Sequence, residues 1–183
     1  MGDWGMAATT GDADYVGQVG KLLSQTAGVK PHLARIPAAR LEMDPDAVVL
    51  SADLARAANS SQLVVIQLGD NVKPDGLAAF EVAYARLLHD VRPAHGVLVC
   101  LSRWWADGRV DAAIDRQCRQ AQGRFVPIGD ISADPRMRGL PDSEGIDPGV
   151  QAHPSDLGMA LIARRVVSAW SDAIQQVPLI GWR

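Results

Sequence analysis

The sequence predicts an α/β protein: a three-layer α/β/α sandwich around a parallel sheet. Three observations carry this. Nearly continuous apolar runs stand at residues 63–68 and 97–101, and such runs suit strands covered on both faces. Amphipathic segments of helical period lie between and after them. The two patterns alternate at the spacing of βαβ units, which build parallel sheets.

Taken in order, Asp12 or Asp14 can cap a first helix that carries Tyr15, Val19, Leu22 and Leu23 and stops at Gly28. Residues 30–36 read as a weak strand halted by Pro37. Residues 45–58 read as a helix, with Asp44 at the N-cap and Pro45 at the first helical position. After strand 63–68, residues 74–91 form a strongly amphipathic helix on Leu77, Phe80, Ala83, Tyr84, Leu87 and Leu88. Strand 97–101 follows, then a helix over 110–122 that ends at Gly123, then a short strand over 125–128. Three prolines and three glycines make 132–149 a long irregular loop, and 154–173 is the last helix.

The 183 residues suit a single domain over 1–183, and 48% apolar content is enough for a core. Net charge is −3 and basic residues form no stripe, which disfavours nucleic acid as a partner. Arg103, Arg109, Arg116, Arg119 and Arg124 come nearest and read as the solvated face of one helix. No run reaches the roughly 18–20 apolar residues of a membrane span. Cys100 and Cys118 read as two buried thiols rather than a disulfide. The opening Met1–Gly5 has no basic region and no apolar region of a signal peptide, and reads as the interior of a domain. The compartment stays open: cytoplasmic by default, exported if a leader stands upstream.

In parallel α/β sheets, ligands bind beyond the carboxyl ends of the strands. Gly69-Asp70-Asn71 follows strand 63–68. Asn71 there either aims its amide at a developing oxyanion or simply makes a strand-to-helix turn. His153-Pro154 opens the last helix, and His153 is either a general base or a locally bonded loop histidine. Asp156 either orients that imidazole or caps the helix, and Ser155 can share the cap. Trp104 and Trp105 either wall a pocket suited to sugar faces or pack, one in the core and one at the surface. His32, His89 and His95 lack acid or cysteine partners at ligand spacing, so no metal is expected. Gly17–Lys21 fails as a phosphate loop, since its glycine spacing is wrong and Leu22 stands in place of Ser or Thr. No G-x-G-x-x-G or G-x-S-x-G occurs, and no cofactor is expected.

These segments together resemble the SGNH (GDSL-type) hydrolase family. The matching stretches are Val64-Val65-Ile66-Gln67-Leu68-Gly69-Asp70-Asn71-Val72, Leu101-Ser102-Arg103-Trp104-Trp105 and Gly149-Val150-Gln151-Ala152-His153-Pro154-Ser155-Asp156-Leu157-Gly158-Met159. Gly2-Asp3-Trp4-Gly5-Met6-Ala7-Ala8, then Asp14-Tyr15-Val16, is similar to the segment just after the nucleophile block in one bacterial branch. The resemblance covers nearly the whole chain, and the order and spacing of the motifs carry it. It implies a flavodoxin-like α/β/α fold and cleavage of esters, often acetyl or acyl groups on sugars or lipids. It implies that Asn71, with Gly69 two residues before, serves the oxyanion hole and that His153 is the base. Trp4, Asp70, Trp104 and Trp105 would then meet a small-molecule or carbohydrate ester.

The chain departs from the family pattern at three places. The family's first strand and its Gly-Asp/Asn-Ser block have no counterpart, and Gly2-Asp3-Trp4 and Gly11-Asp12-Ala13 mimic the block without its serine. No glycine stands between Gly28 and Gly69 to supply the second oxyanion donor, which leaves a backbone N–H near Ala38 or Ala39. The usual Asp three residues before the histidine is Val150, so Asp156, an acid in 142–147 or a main-chain carbonyl must orient His153. In this fold the absent strand would lie between two others and leave ladder groups unpaired. A truncated gene start, a partner or second copy filling the gap, and a degenerate relative all fit. The chain thus reads as an ester hydrolase lacking its serine, or as a serine-less relative that binds a glycan or acyl group.

Overall fold

A computed structural model describes Gly5 and residues 7–28, 30–47, 51–139 and 147–176. In chain order its elements are α1 (Tyr15–Ala27), α2 (Arg40–Met43), α3 (Ala52–Asn59), β1 (Leu63–Gln67), α4 (Leu77–Val91), β2 (Val97–Leu101), α5 (Gly108–Gln120), β3 (Arg124–Val126), α6 (Gly129–Ser132), α7 (Pro148–Gln151) and α8 (Asp156–Gln175). The chain divides into two compact units. The first comprises Met1–Ile36, Trp104–Ala106 and Pro127–Val167; the second comprises Pro37–Arg103, Asp107–Val126 and Ser168–Arg183.

The second unit holds the sheet, and the α/β class with parallel strands is as the sequence predicts. Strand order is β1-β2-β3, all parallel. Leu63 pairs with Val97 and Gln67 with Leu101, while Val99 pairs with Arg124 and Leu101 with Val126. β2 is central, and Leu98, Val99, Cys100 and Leu101 are all buried. Parallel neighbours need a crossover, and helices supply it: α4 links β1 to β2, and α5 links β2 to β3. α4 turns Phe80, Tyr84, Leu87, Leu88 and Val91 into the core, and α5 turns in Val110, Ile114 and Cys118. Both sets recur at helical spacing, which is why the sequence showed them. Burial pushes the Tyr84 phenol well above its ordinary range.

Two local expectations are corrected. Residues 30–36 join no ladder. Pro31 has no N–H to give, and neither does Pro37 at the end of the run; Arg35 instead binds the buried Asp14 through both carboxylate oxygens, at 2.9 and 3.0 Å. Residues 45–58 form no continuous helix: Pro45–Ala47 is a 3-10 turn, and α3 starts afresh with the Ser51 hydroxyl accepting from Leu54 N–H at 3.2 Å. Asp44, expected as an N-cap, closes α2 instead.

Within the first unit, Asp14 is the cap of α1 and accepts from Gly17 N–H at 2.7 Å. Gly28 ends that helix with φ +70°, a left-handed turn glycine makes without a Cβ clash. Arg165 on α8 grips Asp130 of α6 with two bonds of 2.6 and 2.7 Å and also reaches Pro127 O. Among the described residues no helix is long and apolar enough to cross a membrane.

The cysteines are also corrected. Cys100 and Cys118 form a disulfide from β2 to α5, 18 residues apart. The buried stripe of α5 sets Cys118 over the central strand with Cα atoms 6.1 Å apart, within bridging range. Periodicity places each cysteine in the core but is blind to their facing one another. A bridge of this span constrains the unfolded chain by about 3 kcal/mol, or roughly 6–12 °C in Tm. Scanning calorimetry of oxidised against reduced and refolded protein reads this loss. Two free thiols in the denatured, unreduced protein would contradict the bridge.

Asp134 heads the turn Pro135–Met137 and holds the Arg136 guanidinium and N–H. Those bonds lower its carboxyl to about 2. A depressed folded pKa stabilises above the ordinary carboxylate range and is lost as pH falls through the folded value. The Tm gap between wild type and D134N is therefore expected to be full at pH 5 and to close between pH 4 and 2. A gap unchanged at pH 2 would contradict the ion pair.

Candidate functional site

In the second unit, the turn after β1 is built on a buried carboxylate that sequence reasoning did not single out. Glu42 of α2 is 6% exposed. Its Oε1 accepts from Gly69 N–H at 2.6 Å, and its Oε2 accepts from Asn71 N–H at 3.0 Å and Asn71 Nδ2 at 2.6 Å. A carboxylate only accepts, so the Asn71 amide must turn its nitrogen to Glu42. Gly69 has φ +120°, and a Cβ there would lie 3.0 Å from Ile114 and 3.1 Å from Arg103. The positive φ favours glycine, and a Cβ would need those two side chains to shift by a few tenths of an ångström.

Asp70 accepts from Gln67 Nε2 at 2.7 Å, and its carbonyl accepts from Arg103 Nη2 at 2.9 Å. Arg103, just past β2, also lies 3.7 Å from the Asp70 carboxylate and 3.4 Å from that of Asp107. Asp107 caps α5 by accepting from Arg109 and Val110 N–H, and these bonds hold its carboxyl below the usual range. Asp111 accepts from Arg103 N–H and Asp107 N–H at 2.9 and 3.1 Å. Ser102 is buried, and its hydroxyl donates to Arg103 O at 3.1 Å.

In the first unit, the His153 loop is held from several sides. Asp147 caps α7 by accepting from Gly149 N–H at 2.7 Å. His153 N–H donates to Val150 O at 3.0 Å, and Gly139 N–H donates to His153 O at 2.9 Å. His153 Nδ1 lies 2.7 Å from Gly149 O. Trp105 meets the imidazole edge-on with centroids 4.9 Å apart. Trp104 is 2% exposed and donates its Nε1–H to Ala152 O at 2.8 Å. Asp156 turns elsewhere, accepting from Thr9 N–H at 2.9 Å and Thr9 Oγ1–H at 2.7 Å. Ser155 supplies the cap of α8, accepting from Gly158 N–H at 3.3 Å.

No family model matches the chain. No curated protein matches it either. Among solved structures it is similar to a "putative lipolytic protein of G-D-S-L family" from Desulfitobacterium hafniense DCB-2, at TM-score 0.47 and 14% identity, over 88% of this chain and 90% of that one. A likeness that weak leaves the site to be argued from its own residues.

Gly69, Asp70 and Asn71 thus form one bonded turn, and Trp104, Trp105 and His153 form one packed loop. Trp4 lies outside the described residues, as do the acids at 142–146 and the apolar tail 177–180. Glu42 left only a faint signal, an acid between Leu41 and Met43. Among the described residues no group of His, Cys, Asp and Glu could hold a metal. W104F removes the Nε1–H donor to Ala152 O and leaves a smaller ring in a buried site. It is expected to cost about 1–3 kcal/mol, or roughly 2–12 °C in Tm. An unchanged melting curve would show that this bond does not secure the loop.

Proposed function

We propose, on the SGNH resemblance, a role in acyl-ester hydrolysis for a residue of each unit: His153 of the first as a general base, and Asn71 of the second, preceded by Gly69, as an oxyanion donor. The observation that supports it most is the tether of His153 Nδ1 to Gly149 O. A carbonyl cannot donate, so Nδ1 carries a proton, and in the neutral ring Nε2 is then the nitrogen with the free lone pair. That is the tautomer a base needs to take a proton from a hydroxyl. The deprotonated oxygen attacks the ester carbonyl, and the carbonyl oxygen gathers the negative charge that amide N–H groups stabilise. The imidazolium then returns its proton to the departing alcohol. The main-chain carbonyl takes the orienting role that Asp156 or Val150's counterpart would have filled. Trp105, against the imidazole, suits a sugar face, so an acylated sugar is the favoured substrate class.

The resemblance maps no serine of this chain onto the nucleophile position. The reaction open to these 183 residues alone is attack by a water that His153 activates. Weak hydrolysis of p-nitrophenyl acetate is expected, falling to the buffer rate in H153A and with no fluorophosphonate adduct on any serine. Equal rates for wild type and H153A would defeat the assignment. A second reading, a serine-less chain that binds a glycan or acyl group, is favoured by Glu42, which takes up the donors of Gly69 and Asn71. It expects acetylated sugars to quench tryptophan fluorescence saturably with no turnover above H153A.

A further inference from the structure

We propose that the turn Gly69–Asn71 is an anion receptor and that Glu42 is its built-in occupant. Three N–H groups from two residues converge on the two oxygens of one buried carboxylate. Among the described residues Glu42 enters no ion pair. Its described hydrogen-bond partners are all amide donors. The contrast within the molecule is Asp14, also buried, whose charge is met by Arg35.

An array of that kind does not distinguish a side-chain carboxylate from a free one. Two backbone N–H groups and an amide would hold acetate, or the oxygen of any small carboxylate, as they hold Glu42. Beside Glu42, the turn is also held by the Arg103 bond to Asp70 O, and Gly69 adopts its positive φ without a Cβ clash. If Asn71 serves an oxyanion, a point that rests on the proposal above, Glu42 is a plug that the oxyanion must displace from Asn71 Nδ2.

The test removes the plug and supplies a substitute. E42A empties the receptor, and sodium acetate is titrated against sodium chloride of equal ionic strength. Acetate at ten times its Kd is expected to raise the Tm of E42A by about 3–5 °C over chloride. Wild type and E42Q, in which a side chain still fills the space, are expected to respond alike to both salts. In 15N spectra of E42A, acetate is expected to shift the Gly69 amide and both Asn71 nitrogens. Should E42A be unfolded in chloride, acetate is expected to restore its far-UV circular dichroism. Identical behaviour of E42A in acetate and chloride would overturn the proposal, and so would an equal acetate response in wild type. No activity is read, so the result stands or falls apart from the role of His153.

Discussion

Strand β2 admits no compromise. Four consecutive residues of it are buried, so its backbone groups have no water to turn to and must find strands on both sides. Parallel pairing on both sides then demands two helical crossovers, which α4 and α5 provide. The register ends β1 and β2 level, Gln67 against Leu101. Both chains therefore leave the sheet at the same edge, and Arg103 can reach back to the carbonyl of Asp70. The polar turns of the second unit are a result of that ladder.

Buried acids are managed in two ways. Asp14 combines a helix cap with a guanidinium partner, whereas Glu42 relies on amides of a tight turn. The first arrangement holds a helix to the extended segment that follows it. The second holds a loop whose donors face an anion from within. The half-buried Asp70, Asp107 and Asp111 gather around Arg103 instead, where one cation and several N–H groups share three carboxylates.

What the sequence shows follows from which patterns are local. Strand 97–101 was legible to the residue, since every position in it is apolar for the same reason. Helix α1 was legible from Asp14 and Gly28, whose capping roles are set within a few residues. The 30–36 segment was misread because β propensity says nothing about whether a ladder partner exists. The disulfide and the Glu42 clasp were invisible for a related reason: each joins residues far apart in sequence, and only the crossovers bring them together. At the histidine loop, sequence could pose the question of what orients the ring, but a main-chain carbonyl leaves no mark on residue type.

The link between Cys100 and Cys118 changes how this unit comes apart. A helix on the face of a sheet ordinarily opens by fraying and peeling while the strands stay paired. Here the last turn of α5 is bonded to the carboxyl end of the central strand. Peeling that end must drag on β2 itself, which is laddered to both neighbours. The C-terminal turn of α5 should therefore exchange with solvent together with β2 rather than by fraying alone.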